Sequence, residues 1–338
     1  MTIGVVRVRW DVWPVMKIKL RHVPTKTKPM GPFGHLLRVF LLALVVGNSI
    51  AAIAGPIRVV TTTTDLASLT QEIGGNRVDV TSLAVGYQDP HFVQRTPLFL
   101  LKLRRADLLI LIGLRLESSW LEDQFQFLAQ TGNPRIQFGA SGSLDVSRYV
   151  EIADAPNQVS RAMGIHPIGN PHYWLDPENG KKIARAIATK LSELRPNDAA
   201  YFEQRFTDFS SRISEREKIW EAKMQPYRGQ KVITYHRTWP NFMNRFGLVS
   251  LGEIEPFVGI PPNNSHTDDL IQTMLHENVR VIVVEPYFDL KTPVEIARAT
   301  GAKILVLPAS VGSEKDVTDY FRLLDYDIGA LSNAFSSH

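Results

Sequence analysis

A long stretch without helix-breaking residues constrains the fold more than any other feature of the chain. Residues 198–224 contain neither glycine nor proline and are largely polar. Apolar side chains recur there at helical spacing, at Tyr201, Phe202, Phe206, Phe209, Ile213, Ile219, Trp220 and Met224. At 1.5 Å per residue the pattern predicts a helix on the order of 40 Å long, which exceeds the usual length. Such a helix is either a long surface helix or a stiff connector between two lobes, and the sequence leaves both interpretations open.

Strand-like and helix-like segments alternate on both sides of this stretch. Strands are predicted at residues 57–64, 77–85, 106–113, 230–235, 248–254, 280–284 and 303–307, with a weak one at 134–138, whereas residues 139–171 look irregular. The alternation predicts an α/β fold with two lobes, each a mostly parallel β-sheet flanked by helices, joined by one long rigid linker helix. We predict an N-terminal lobe at 55–196, the linker helix at 197–226 and a C-terminal lobe at 227–338.

The first 54 residues differ in charge from the rest of the chain. They hold eight basic residues and one acidic residue, so residues 55–338 carry a net charge of −3 although the whole chain is at +4. An apolar run at residues 39–46 follows Arg38 and precedes a small-residue pattern at 52–54, which is typical of a cleavable signal peptide. We therefore predict a leader at residues 1–54, with translation starting at Met1 or Met30, and a periplasmic mature protein. The mildly acidic remainder argues against nucleic-acid binding.

Three histidines are candidate metal ligands. His91, His172 and His236 each lie within four residues of a proline, and proline restricts the backbone around it. A metal site needs such preorganised side chains. Neutral imidazole is the commonest protein ligand of zinc, and three imidazoles with one oxygen donor complete a tetrahedral shell. Because the chain contains no cysteine, disulfides, thiolate ligands and lipid attachment through cysteine are all excluded.

Glu285 is the candidate for the oxygen donor. It directly follows a buried strand-like run, as His236 follows another, and ligands gather beyond the carboxyl ends of parallel strands. Two candidates on each lobe place the metal in the cleft between the lobes. Glu285 could instead cap a turn or hydrogen-bond a ligand histidine, and a water molecule could fill the fourth position. Glu253 and Glu255 are weaker candidates.

The chain also resembles a known family. The motifs that carry the resemblance are Asp89-Pro-His91, Asn170-Pro-His-Tyr-Trp-Leu-Asp-Pro177, Tyr235-His236, Glu255-Pro256 with Gly259-Ile-Pro-Pro262, and Glu285-Pro286 followed by Gly301-Ala-Lys303. Taken together they resemble the solute-binding proteins of zinc and manganese ABC transporters, the cluster A-I group. The resemblance implies two α/β lobes joined by a long helix, with His91, His172 and His236 as metal ligands.

The sequence departs from that family in two places. The fourth ligand of the family is often an aspartate in the loop after the last strand, whereas residues 307–312 of this chain contain no acid. Many zinc-binding members also have a histidine-rich loop in the first lobe, and residues 139–171 contain only His166. The first departure leaves the fourth ligand open, and the second weakens the case for zinc slightly.

Three imidazoles without a thiolate favour Zn²⁺, with Mn²⁺ and Fe²⁺ as alternatives. We predict a monomeric, high-affinity binding protein, not an enzyme, that delivers the ion to an ABC permease in the inner membrane. An exported zinc hydrolase is the alternative from another class, because Glu285 could act as a general base beside a metal-bound water. An adhesin or metal chaperone of the same fold would differ only in its partner.

Overall fold

The computed structural model describes residues 55–121, 129–153 and 169–336. The predicted leader at residues 1–54, with its apolar run, lies outside these ranges. Within them, every helix is too short or too polar to cross a membrane. All statements about structure below concern the described residues.

Two parallel four-stranded sheets form the framework. The first contains β1 (Ile57–Thr61), β2 (Val78–Ser82), β3 (Leu108–Leu111) and β4 (Ser143–Asp145) in the order β2-β1-β3-β4. The second contains β5 (Lys231–Thr234), β6 (Val249–Glu253), β7 (Val281–Val284) and β8 (Lys303–Val306) in the order β6-β5-β7-β8. The two orders correspond strand for strand, so the lobes share one topology and the predicted α/β fold class is confirmed.

Helices flank the sheets, as parallel connections require. Around the first sheet lie α1 (Thr64–Gly74), α2 (Pro97–Arg105), α3 (Ser118–Leu121) and α4 (Pro177–Leu194). Around the second lie α6 (Pro240–Phe246), α7 (Asn264–Glu277), α8 (Lys291–Thr300) and α9 (Tyr320–Ser336). The long helix α5 (Ala199–Met224) connects the two sets.

The predicted strand at residues 134–138 is wrong. Pro134–Ile136 forms a 3₁₀ turn, and the fourth strand of the sheet is β4, inside the region that looked irregular. Pro134 has no N–H to donate to a strand ladder, which disfavours pairing there. β4 is three residues long and pairs only with β3, so its extended form depends on this neighbour and not on its own pattern.

Helix α5 has the length that the sequence predicts and lies inside the predicted linker range. Its buried side chains recur at spacings of three, four or seven residues, at Phe202, Phe209, Ile213, Glu217, Trp220 and Met224. This face packs mainly on α4 and also on α1 and α9. The buried carboxylate Glu217 is paired with Lys181 of α4 at 3.0 Å, which offsets the cost of its burial. The exact limits of the lobes remain predictions.

The two lobes are tied together by polar contacts. Arg245 of the second lobe donates to Asp176 at the start of α4, at 2.7 and 3.3 Å. The backbone N–H of Val311 donates to the buried carboxylate of Asp65 at 2.9 Å. The indole of Trp174 donates to the carbonyl of Ala309 at 2.9 Å. These contacts hold the carboxyl ends of both sheets against each other, where the candidate site lies.

Candidate metal centre

The three candidate histidines converge on one point. The ring centroids of His91, His172 and His236 lie 5.0 to 5.4 Å apart. One ring nitrogen from each lies within 4.8 Å of the other two. All three residues are buried, with exposed fractions of 6%, 0% and 4%. The separation matches three ligands that surround one ion, since Zn–N bonds of 2.0–2.1 Å place ligand nitrogens of one shell a few ångströms apart.

Two of the histidines are held by the same local motif. In Asp89-Pro90-His91 the oxygen Oδ1 of Asp89 accepts from the backbone N–H of His91 at 2.8 Å and lies 2.8 Å from its Nδ1. In Asn170-Pro171-His172 the corresponding distances from Oδ1 of Asn170 are 2.9 and 3.1 Å. An Asp or Asn side chain that bonds the backbone two residues on forms an Asx turn, and the intervening proline stiffens it. The sequence therefore orients both imidazoles within three residues.

The third histidine is held by a distant residue. Nδ1 of His236 lies 2.7 Å from Oε2 of Glu255, which follows β6 whereas His236 follows β5. The neighbouring strands bring these two residues together at the edge of the second sheet. The amide of Asn170 adds a contact between the lobes, because its Nδ2 donates to the carbonyl of Arg237 at 2.7 Å. His172 and His236 are therefore positioned relative to each other through a single side chain.

These hydrogen bonds determine which nitrogen can bind a metal. Carboxylate oxygens only accept, and Oδ1 of Asn170 is assigned as an acceptor because Nδ2 of the same amide donates to a carbonyl. Nδ1 of each histidine must then carry the hydrogen, which leaves the lone pair on Nε2. Nε2 of His236 is buried and accepts no hydrogen bond from the described residues. Three neutral imidazoles with oxygen acceptors behind them form the usual arrangement for a divalent metal.

The electrostatics of the two lobes differ at this site. Burial lowers the pKa of His91, and its contact with Asp89 does not fully compensate. Burial would also lower the pKa of His236, but the hydrogen bond to Glu255 and the field of Glu285 outweigh it, so that pKa is raised. A proton and a metal compete for the same nitrogen. Protonation therefore opposes metal binding at His236 at a higher pH than at His91.

Glu285 is fully buried beside His236. Its Oε1 accepts the indole N–H of Trp239 at 3.0 Å, and its Oε2 has no hydrogen-bond partner among the described residues. Burial raises the pKa of Glu285 to about 7, although the nearby His236 acts in the opposite direction. Its oxygens do not join the group of three nitrogens that lie within 4.8 Å of one another. Glu285 thus lies next to the cluster formed by His91, His172 and His236, and its Oε2 is buried without a hydrogen-bond partner among the described residues.

Two other acidic candidates have different roles. Glu253 pairs with Arg237 at 3.4 Å and lies outside the cluster. Glu255 is the partner of His236, a role that sequence reasoning missed because nothing local links positions 19 residues apart. Asp89 and Asn170 were also missed, although the repeated pattern of Asp or Asn, then Pro, then His was a usable signal.

The acid-free loop after β8 contacts the other lobe. Val311 donates its backbone N–H to Asp65 of α1, and a Cβ atom on Gly86 would lie only 2.1 Å from the carbonyl oxygen of Val311. This close approach leaves no room for a larger residue at position 86. The loop is therefore packed against the first lobe without supplying a carboxylate to the cluster.

Comparison with known proteins gives a consistent family. A family model described as the periplasmic zinc-uptake complex component A, ZnuA, matches residues 59–334. The manganese ABC transporter substrate-binding lipoprotein PsaA of Streptococcus mitis is 24% identical, over 91% of this chain and 100% of its own length. The high-affinity zinc uptake system protein ZnuA of Brucella abortus is 27% identical, over 44% of this chain and 45% of its own length.

Solved structures show the same fold. A deletion mutant of ZnuA with zinc bound superposes with a TM-score of 0.69 at 25% identity, covering 82% of this chain and 98% of that one. A manganese-bound periplasmic metal-binding protein from Candidatus Liberibacter asiaticus gives a TM-score of 0.67 at 20% identity, with coverage of 82% and 98%. The likeness therefore extends over both lobes, and the metals named for the relatives differ.

Proposed function

Because the chain belongs to the ZnuA family, the periplasmic component A of zinc-uptake complexes, we propose that it binds a divalent metal ion and delivers it to the permease of an ABC transporter. The family is one of transport components and not of enzymes. The observation that carries the proposal is the convergence of one buried nitrogen each from His91, His172 and His236 within 4.8 Å. The two lobes contribute jointly, so the ion acts as a link between them.

We propose zinc as the ion. Three imidazole nitrogens suit Zn²⁺ better than Mn²⁺, which prefers a shell richer in oxygen. Mn²⁺ and Fe²⁺ remain the alternatives, and relatives named for manganese are the reason to test them. For the fourth position we propose Glu285, with a water molecule as the alternative, because its buried Oε2 lacks a partner next to His236.

Delivery follows from the chemistry of the ligands. Neutral imidazoles displace water from the hydrated cation, and the filled site holds together loops from both lobes. We propose that the permease recognises this loaded form and separates the ligands. Export to the periplasm by the leader at residues 1–54, as a monomer without a lipid anchor, completes the proposal and differs from the relatives that are named lipoproteins.

Metal content tests the proposal directly. The full chain is expressed with its leader, isolated from the periplasm, and analysed by elemental mass spectrometry, followed by titration calorimetry of the metal-free protein with Zn²⁺ and Mn²⁺. We expect one zinc per chain and tighter binding of Zn²⁺ than of Mn²⁺. A protein that retains manganese, and binds it more tightly than zinc, would disprove the choice of metal. A protein that binds neither ion would disprove the function.

A further inference from the structure

Glu255 uses both of its carboxylate oxygens. Oε2 lies 2.7 Å from Nδ1 of His236, and Oε1 accepts the backbone N–H of Gly259 at 2.6 Å. The residue is 9% exposed, so both bonds are sheltered from water. A carboxylate that accepts two N–H groups at these distances forms strong, charge-assisted hydrogen bonds. Glu255 therefore joins a candidate metal ligand to the backbone of the loop at residues 256–260.

This loop of the second lobe touches the first lobe next to another candidate ligand. Gly259 has φ +74°, and a Cβ atom there would lie 3.0 Å from Cζ of Phe92. The ring of Phe92 thus packs directly on the glycine backbone, and Phe92 immediately follows His91. The turn is closed by the N–H of Ile260, which donates to the carbonyl of Phe257 at 2.8 Å. The left-handed backbone favours glycine here, and a Cβ atom would also press on the tip of the Phe92 ring.

The contacts form a closed path around one edge of the cluster. It runs from His91 to Phe92, across the cleft to Gly259, through Glu255 and back to His236. Phe92 is half exposed, whereas the histidines behind it are buried. The contact between Phe92 and Gly259 therefore separates this edge of the cluster from solvent. An ion that enters or leaves along this edge has to break it.

We propose that Glu255 is a positioning residue that couples metal binding at His236 to closure of the loop 256–260 over the cluster. This inference rests on the proposed function and concerns how the ion is retained. A dication on Nε2 polarises the ring, which strengthens the donation of Nδ1–H to Glu255. The carboxylate, held in one orientation, then keeps the N–H of Gly259 in place and the loop against Phe92. Without the ion the ring is a weaker anchor, and the loop opens more often.

The substitution Glu255→Gln isolates this role. A glutamine has a single acceptor oxygen, so it can serve His236 or Gly259 but not both, and its NH₂ group faces the other donor. Glu277→Gln is the matched control, because Glu277 pairs with Lys231 at the start of β5, at the far end of that strand from His236. Phe92→Leu is the second variant. It removes the ring from Gly259 while leaving the carboxylate intact.

Two measurements on the full mature chain decide the matter: zinc release, followed with a chelator, and hydrogen exchange of the Gly259 amide with and without Zn²⁺. In the wild type and in Glu277→Gln we expect zinc to slow exchange at Gly259 by about tenfold or more. In Glu255→Gln we expect this slowing to vanish and zinc affinity to fall about 10- to 100-fold, the usual range for the partner of a ligand histidine, through faster release of the ion. Phe92→Leu should speed release by a smaller factor and retain part of the protection.

Several outcomes would overturn the inference. If zinc binds to the wild type but leaves exchange at Gly259 unchanged, the loop is not coupled to the ion and only this inference fails. The same holds if Glu255→Gln lowers the melting temperature but keeps the wild-type release rate, as a purely structural role requires. If calorimetry shows that the wild type binds neither Zn²⁺ nor Mn²⁺, the proposed function fails as well.

Discussion

Glu117 and Glu285 are buried acids that follow the third strand of their respective sheets, Glu285 directly and Glu117 after an intervening loop, and their surroundings differ. Each follows the third strand of a sheet with the same strand order, and each is bonded by a side chain from the loop after the first strand. Burial raises the pKa of both carboxyl groups to about 7. The shared topology thus buries an acid at the edge of each sheet where a doubly wound fold holds its ligands.

The partners of the two carboxylates differ. Glu117 accepts from Oγ1 of Thr62 at 2.7 Å and from the backbone N–H groups of Ile112 and Gly113 at 2.8 and 3.1 Å. Oε1 of Glu285 accepts the indole N–H of Trp239, and Thr238 also favours the charged form of this carboxyl group, whereas Oε2 has no hydrogen-bond partner among the residues that the structure describes. Glu117 therefore fastens the loop after β3, whose next residues Leu114 and Arg115 have positive φ. The comparison teaches that topology places the acid, whereas the local side chains decide whether it serves the fold or a ligand.

The largest expected effect is a loss of zinc affinity when a candidate ligand of the second lobe is removed. His236→Ala removes one of three nitrogens, so zinc affinity should fall by more than about 100-fold, beyond the loss typical of a residue behind a ligand. Titration calorimetry measures this, with His276→Ala as the control because His276 is exposed on α7. If His236→Ala keeps the zinc affinity of the wild type, the metal binds elsewhere. The sheet edge that carries Glu285 would then have no more part in metal binding than the one that carries Glu117.

Amide substitution of each acid should separate stability from binding. Glu117→Gln sets an NH₂ group against backbone N–H donors, so we expect a loss of about 1–3 kcal/mol in the free energy of unfolding and unchanged zinc affinity. Glu285→Gln should leave the stability of the metal-free protein within about 1 kcal/mol and lower zinc affinity by about tenfold or more. Urea unfolding and calorimetry report the two quantities. If both variants change the same quantity, Glu117 and Glu285 do not have different roles.

The pH dependence of stability sharpens the assignment of Glu117. Its pKa is about 7 in the folded protein against 4.5 as the reference, so the folded state holds the proton more tightly than the unfolded state. The corresponding stability is present below pH 4.5 and is lost as pH rises towards 7, a change of about 3 kcal/mol at most. Urea unfolding of metal-free protein at several pH values should show a steeper decline for the wild type than for Glu117→Gln. Parallel curves would contradict the raised pKa.

The smallest expected effect is a difference in proton release. At pH 6 the carboxyl group of Glu285, with its pKa of about 7, is mostly protonated in the metal-free protein. A bound dication favours the carboxylate, so zinc binding should release up to about one more proton in the wild type than in Glu285→Gln. Calorimetry in buffers of different ionisation enthalpy counts these protons. Glu117→Gln should release as many as the wild type, and a deficit there would mean that the two acids are not distinct.

Much of the fold follows from local pattern. The β/α alternation and the glycine- and proline-free stretch predict seven of the eight strands and the helix α5 because their periodicity is a property of the chain itself. β4 was missed because three residues carry no period and extend only against β3. Thr63 caps α1, whereas Asp65 in its first turn is buried and accepts from the backbone N–H of Val311. That role depends on a loop 246 residues away in sequence.

The features of the site likewise fall into those that a short segment determines and those that depend on the tertiary structure. The sequence by itself singled out the three histidines as candidates, and it contains the Asx-Pro-His motif that orients His91 and His172, because an Asx turn is complete within three residues. Only the tertiary structure decided that Glu255 holds His236 and that Glu285 is buried next to His236. These relations depend on which strands are neighbours and on how closely two lobes approach. Such distances are set by the packing of the whole molecule and leave no trace in any short segment of the chain.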